Sequence, residues 1–352
     1  MEKKPNLSIG NCPVPIHTQS QVLLGHGSGG KLSADLIREV FLPAFNNPFL
    51  DKLNDSATFQ INDCRLAFTT DSFVVDPVFF PGGDIGSLAI HGTVNDLAVS
   101  GARPLYISAA FILEEGFPLA DLKKIAASMQ AACEEAGVTL VTGDTKVVDK
   151  GKGDSIFITT SGIGVVENDH HISVDRARPG DKIILSGAIG NHGIAILSVR
   201  EGIDFETELK SDSVSLAAPI REILEVSANI HCLRDPTRGG LSSTLNEIAQ
   251  ASKVGIELTE TSIPIWDQVR GACELLGLDP LYVANEGKFV AVVAPQDADK
   301  VLSRLRENPL GSEAAVIGEV VMDHPAMVLM RSPIGGKRVV QMLAGEQLPR
   351  IC

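Results

Sequence analysis

The sequence lacks the marks of several common protein classes. Its six cysteines, Cys12, Cys64, Cys133, Cys232, Cys273 and Cys352, form no C-x-x-C pair and no Cys/His cluster at metal-ligand spacing, which argues against a zinc ribbon and fits reduced thiols in a reducing, cytoplasmic compartment. No run of about eighteen apolar residues occurs, and no basic stretch leading into an apolar one opens the chain, so neither a membrane span nor a secretory leader is expected. Basic residues are outnumbered: 30 Lys and Arg stand against 44 Asp and Glu, a net charge of −14. That balance opposes loose association with nucleic acid or an anionic membrane, and an anionic substrate would need a local cationic or metal-filled pocket. A prenylation box is absent too, because Cys352 is the last residue rather than the fourth from the end.

What is present suits a sizeable core. At 352 residues with 44% hydrophobic content the chain is long enough for two domains. Strand-like "RLAFTTDSFVV", "PLYISAAFIL", "VTLVTGD" and "DSIFITTSGIGVV" alternate with helix-like "DIGSLAIHGTVNDLAVSGA" and "LADLKKIAASMQAACEEAG", the latter stopped by Gly137. Alternation restarts after the Pro-Gly turn of "DRARPGDKIILSG" and runs to "AMVLM". The expected class is α+β, divided into an N-terminal extension with a glycine-rich loop (1–40), an N-terminal domain (41–168), a second α+β domain (169–333) and a tail (334–352). Gly335 and Gly336 permit a hinge, and a fully extended chain from Gly336 to Cys352 would reach about 50 Å.

Several stretches have the residue types of a nucleotide site. "GHGSGGKL" (25–32) matches G-x-x-x-x-G-K, but Leu32 replaces the Ser/Thr of a P-loop and no clear strand precedes it. A flexible loop is the plainer reading, with phosphate covering by backbone N–H groups and Lys31 the alternative. Asp55, Asp71, Asp96, Asp144 and Asp235 lie at or near expected element ends. Singly each reads as a turn or cap; together they could supply hard oxygen ligands for Mg²⁺ on a triphosphate. Lys146 follows Asp144 by two residues, and Lys288 follows Glu286 by two; surface pairing is the default for both, proton transfer the alternative. His192 and His91 sit beside small residues at expected helix starts, where capping or packing is the plainer role.

The order "NDSA", "TTDSFVV", "VNDLAVSGARP", "VTGDTKVV", "SGAIGNHG", "RDPTRGGL" and "NEGK" resembles the ATP-binding superfamily that includes aminoimidazole ribonucleotide synthetase, selenophosphate synthetase and thiamine monophosphate kinase. Within it, the final "PRIC" and the chain from about residue 20 onward are similar to the carbamoyl dehydratases of nickel–iron hydrogenase maturation. The resemblance implies a homodimer whose N-terminal domains share a barrel-like sheet, with ATP at the interface. It implies Mg²⁺ held by Asp55, Asp71, Asp96 and Asp235, and nucleotide contacts from Gly27, Ser28, Gly29, Gly30, Lys31, Asp71, Asn95, Asp96 and Asp144. It further implies that Cys352 takes a carbamoyl group from the carbamoyltransferase HypF. ATP-driven dehydration would turn that group into a thiocyanate for the HypC–HypD complex, with Lys146, Glu286 and His192 as proton-transfer residues. A selenophosphate synthetase-like activity and a non-catalytic ligand-delivery scaffold are the rival readings.

Overall fold

A computed structural model describes residues 21–167, 170–202, 209–345 and 350–352. After a short 3₁₀ turn, α1 (Lys31–Leu36) and α2 (Leu42–Phe45) are joined by a π turn at Ile37–Phe41. The boundary expected at 40/41 therefore falls inside one continuous helical stretch. Then come β1 (Ala57–Ile61), β2 (Cys64–Phe73), a short hairpin of β3 (Phe79–Phe80) and β4 (Gly83–Asp84), α3 (Ile85–Val99), β5 (Arg103–Glu114), α4 (Leu119–Ala136), β6 (Thr139–Val148) and β7 (Ile156–Val165). The sheet order is β1-β2-β7-β5-β6; β5 and β6 run parallel across the α4 connection, and the other neighbours are antiparallel.

Helix α3 is the pivot of this layer. Asp84 caps it by accepting the Gly86 and Ser87 amides at 2.7 and 3.0 Å, which satisfies donors a helix start leaves unpaired. Ile85, Leu88, Ala89, Ile90, Val94 and Leu97 are wholly buried, so α3 is enclosed rather than merely amphipathic. Its buried length fixes where Asp96, on its last turns, can point.

The second layer contains β8 (Lys182–Leu185), α5 (Asn191–Glu201), α6 (Ala217–Val226), β9 (Ile230–Arg234), α7 (Gly240–Ser252), β10 (Gly255–Thr259), α8 (Asp267–Leu276), β11 (Val290–Val293), α9 (Ala298–Glu307), β12 (Ala315–Val321), β13 (Val328–Arg331) and β14 (Lys337–Val340). The strands form a mixed seven-stranded sheet in the order β14-β13-β10-β12-β8-β11-β9. Val290, Ala291, Val292 and Val293 are fully buried in its interior, as a near-continuous apolar run requires. The tail expected from residue 334 begins later, because Lys337–Val340 pairs with β13 as an edge strand. Gln341 remains tied to α7 through its carbonyl and Ser242 Oγ, 2.5 Å apart. No described helix is long and apolar enough to cross a membrane.

Candidate active site

Four aspartates arrive at one place from four elements. Asp55 precedes β1, Asp71 lies in β2, Asp96 is on the last turn of α3 and Asp235 follows β9 directly. Carboxylate oxygens of Asp55, Asp96 and Asp235 lie within 4.8 Å of one another. The Thr69 hydroxyl stands 2.7 Å from Asp96 Oδ2 and 2.9 Å from the Asp55 carbonyl oxygen. On the flank, Arg234 Nη2 pairs with Asp55 at 3.0 Å and Glu247 at 2.7 Å.

Crowded carboxylates in a desolvated place favour protons. Burial, then Asp55 and Asp71, push Asp235 up to about 8; burial and the three neighbouring aspartates raise Asp96 well above the usual range. Asp55 and Asp71 are raised chiefly by burial, against the pull of Arg234 and Arg238 respectively. Three converging hard oxygens, of which Arg234 pairs only with that of Asp55, fit a divalent cation such as Mg²⁺. Asp71 stands outside that trio and faces the next feature, a small cleft lined by Asp71, Asp96, Asp235, Arg238, Glu286 and Cys352.

Arg238 joins this cleft to the glycine-rich loop. Its Nη1 donates to the Gly27 carbonyl at 3.1 Å. Gly29 has φ +71, and a side-chain carbon there would collide with the Arg238 backbone, so the loop's close approach needs glycine on both conformational and steric grounds. The loop is thus packed on the start of α7, and the Lys31 amide is held by the Leu343 carbonyl at 2.7 Å. Lys31 Nζ points away to Asp35 at 2.5 Å. Beside the loop opens a cavity of about 650 Å³ whose walls include Gly27, Gly29, Gly30, Lys52, Arg234 and Arg238.

The end of the chain lies inside the site. Ile351 bridges Val75 in antiparallel fashion; Val74 N donates to the Cys352 carbonyl oxygen at 3.0 Å and Asp76 N to that of Arg350 at 3.2 Å. His192, buried at the start of α5 and held edge-on by Phe80 at 5.6 Å, has Nε2 at 2.7 Å from the Ile351 carbonyl oxygen and Nδ1 at 2.8 Å from Ser211 Oγ. Burial lowers its proton affinity. Arg350 pairs with Asp76 and Asp154, and Arg200 donates to the carbonyls of Asp76 and Arg350. This places the Cys352 thiol before Arg238, Glu286 and Asp71; burial pushes it above the ordinary thiol range although Arg238 pulls the other way. Glu286 is buried with its Oε1 unpartnered, and burial followed by Asp235, Asp212 and Asp71 raises it well above a normal carboxyl.

Other expected site residues lie elsewhere. Asn95 spends its side chain on the fold, donating to the Val214 and Glu286 carbonyls and accepting the Leu216 amide at 2.7 Å; it holds the Glu286 backbone rather than facing the cleft. Lys146 and Asp144 pair with each other at 2.6 Å on exposed β6. In the sheet, β6 is three strands from β2 and Asp71, about 14 Å at the usual spacing. His91 packs in α3 against Ser213, 3.1 Å away. Ser28 is buried within the loop. Arg238 and Arg200 were not singled out from sequence. The only hint for Arg238 was its position, three residues after Asp235 and before paired glycines.

Comparisons with known proteins give one direction. Residues 53–166 match the family model for the AIR synthase related protein N-terminal domain, and 178–329 its C-terminal domain. The carbamoyl dehydratase HypE of Azotobacter vinelandii is 57% identical over 327 residues, covering 93% of this chain and 96% of that one. A crystal structure of hydrogenase maturation protein HypE in complex with ATP superposes with a TM-score of 0.80 at 50% identity, over 94% of this chain and 100% of that one. A HypE–HypF complex superposes with a TM-score of 0.84 at 46% identity, covering 88% and 99%.

Proposed function

The chain belongs to the HypE family of carbamoyl dehydratases, and from that premise we propose that it dehydrates a carbamoyl group carried on the Cys352 sulfur, with consumption of ATP. The observation that carries the reading is the delivery of Cys352 into a cleft shared by Glu286, Arg238 and the aspartate cluster.

A carbamoyl oxygen is a poor leaving group, so it must first become phosphate. The carbonyl oxygen of S-carbamoyl-Cys352 attacks the γ-phosphorus of ATP and ADP departs; one N–H proton is lost, leaving an S-bound imidoyl phosphate. Removal of the second N–H proton and cleavage of the C–O bond release phosphate and leave S-cyanocysteine. Per turnover one carbamoyl group and one ATP give one thiocyanate, ADP and phosphate, so the oxygen leaves on phosphate. Glu286, buried beside the Cys352 thiol and with Oε1 free of partners, is the group that accepts the N–H protons, in its ionised form. Arg238 meets negative charge developing on oxygen. Asp55, Asp96 and Asp235 would hold Mg²⁺, with Asp71 alongside; that ion supplies neutralisation of the triphosphate charge. Gly27 to Lys31 cover the phosphates next to the 650 Å³ cavity.

The docked thiol holds its proton too firmly to be a good nucleophile, so carbamoylation belongs to an undocked tail and dehydration to the docked one. Enclosure in the second step protects the imidoyl phosphate from water. HypF is the carbamoyl donor and HypC–HypD the cyanide acceptor in this reading, in the cytoplasm where Cys352 stays reduced.

A second copy completes the site. Every residue of β6 from Thr139 to Val147 is exposed, including Leu140, Val141 and Val147, and its outer edge pairs with no strand among the described residues. An open apolar edge of that length calls for a partner. A homodimer through β6 brings Asp144 and Lys146 to an interface where ATP can reach them.

The test is intact mass after incubation with HypF, carbamoyl phosphate and Mg-ATP, beside a Cys352→Ala variant. A carbamoyl adduct on the wild type alone, which then loses the mass of one water, is the expected result. An adduct indifferent to the substitution would overturn the reading.

A further inference from the structure

Among the described residues, the contacts that hold the chain end are made by Arg350, Ile351 and Cys352. Arg350 offers its guanidinium to Asp76 and Asp154 and its carbonyl to Asp76 N and Arg200. Ile351 is 3% exposed, joins the apolar cluster of Val75, Phe80, Ile196 and Ala284, and gives its carbonyl to His192. Cys352 gives its carbonyl to Val74 N and its thiol to the cleft. Backbone pairing supplies register, while a charged pair of acids, an apolar socket and a thiol port read successive side chains. This is how peptide-binding grooves add a strand to a sheet edge.

The same arrangement has a further property: each described contact of the chain end is made by the tripeptide itself. Upstream, the Lys31 amide and Ser242 hold the chain at Leu343 and Gln341, contacts in which Val74, Val75 and Asp76 take no part. The described contacts of the tripeptide are thus separate from those that hold Gln341 and Leu343, and covalent linkage raises its local concentration.

We propose that the groove between Val74–Asp76 and the start of α5 is a peptide-binding site that accepts an Arg-Ile-Cys segment in trans, so that the protein dehydrates an S-carbamoylcysteine on a separate peptide or on the tail of another copy. The ligand class is a cationic, apolar-anchored peptide ending in S-carbamoylcysteine. The chemistry is unchanged: the carbamoyl oxygen leaves on phosphate from ATP, two N–H protons are lost, and the peptide product is a thiocyanate. The proposal rests on the dehydratase reading above.

The experiment uses the full chain carrying Ile351→Asp and Cys352→Ala, which keeps its own tail from filling the socket and removes its own thiol. The probe is the synthetic peptide Gln-Leu-Pro-Arg-Ile-Cys, S-carbamoylated on its cysteine, at micromolar to millimolar concentration with Mg-ATP. The expected result is loss of one water from the peptide by mass spectrometry, with ADP formed one for one. A peptide with alanine in place of isoleucine should be converted at least tenfold less efficiently, since the socket is lost. Unmodified peptide should compete. If the wild-type protein dehydrates its own carbamoylated Cys352 while the variant leaves the peptide unchanged up to millimolar concentration, recognition in trans is overturned and the dehydratase reading stands. If the wild type itself does not dehydrate, both fall together.

Discussion

His192 Nε2 stands 2.7 Å from the carbonyl oxygen of Ile351, and that contact decides the state of the ring. A carbonyl only accepts, so Nε2 carries the proton; in the neutral ring Nδ1 then accepts from Ser211. Burial lowers the ring's proton affinity, which keeps it neutral in the docked state. His192 therefore acts on the tail's backbone rather than on the thiol. Removing it should undock the tail without touching the reacting atoms. His192→Ala is expected to accept the carbamoyl group normally and to slow dehydration about tenfold, the worth of one net hydrogen bond. His192→Gln, whose amide can donate, should recover part of the loss. Single-turnover mass spectrometry on pre-carbamoylated protein measures this directly, and equal defects in the two variants would count against an anchoring role.

Glu286→Gln keeps shape and hydrogen-bonding reach but removes the proton acceptor. The carbamoyl adduct on Cys352 should still form and persist, with dehydration slowed about 100-fold or more. Unchanged affinity for ATP, read by titration calorimetry, would separate this from a general disturbance of the cleft. A rate within a few-fold of wild type would remove Glu286 from the mechanism.

Asp96→Asn tests the cation. In the wild type, Mg²⁺ at about 100 times its dissociation constant should stabilise the fold by about 2.7 kcal/mol, visible as a rise in Tm. The variant loses a ligand oxygen's charge in the trio and one source of mutual repulsion. It should therefore be more stable than the wild type without metal and respond less to its addition. An equal Mg²⁺ response in both proteins would place the ion elsewhere.

How much of this could be read before the fold was known follows the length scale of each signal. Gly137, expected as the stop of α4, closes that helix in the left-handed conformation at φ 67, because a local rule needs only local residues. Asp55, Asp71, Asp96 and Asp235 lie at or near the ends of recognisable elements, whereas Asp144, read from sequence with them, sits midway along β6. Strands β1, β9 and β14 were not legible, being too short to show a period before their neighbours supply the pairing. Arg238 was hidden because its significance comes from Gly27 and Cys352, both more than one hundred residues away. Asn95 misled in the opposite way: it adjoins Asp96 in sequence, but α3 turns its side chain about 100° onto the 214–216 segment. The tail's resting place was beyond reach, since one isolated bridge to Val75 leaves no pattern in the chain.

His91 supplies a pH signature away from the aspartate cluster. It lies buried in α3, with Ser213 at Nδ1 and the Glu135 carboxylate 3.8 Å from Nε2, and burial lowers its pKa to about 4 from the ordinary 6.5. A histidine whose folded value is depressed binds fewer protons folded than unfolded between those limits. Its contribution to stability is thus intact above about pH 6.5 and is lost as pH falls towards 4, reaching roughly 3 kcal/mol at 1.36 kcal/mol per unit. His91→Gln should flatten this part of the profile. Denaturant midpoints from pH 7 to 4.5 provide the test, and parallel curves for the two proteins would contradict it.

The β6 edge yields the last prediction. Val141 is 57% exposed on a strand whose outer edge is unpaired among the described residues, so in a dimer its side chain passes from water to an apolar contact. Val141→Lys would place a cation there and sacrifice the apolar contribution, about 1.5 kcal/mol or more for a valine, before any cost of desolvating the charge. Sedimentation should show the wild type as a dimer and the variant dissociating at concentrations at least tenfold higher. Dehydration should fall with the dimer fraction, because Lys146 lies three strands from Asp71 within one chain and it is the proposed interface that would bring it to the nucleotide. A monomeric variant that dehydrates at the wild-type rate would show that one chain holds the complete site and would leave Lys146 as a surface ion-pair partner of Asp144.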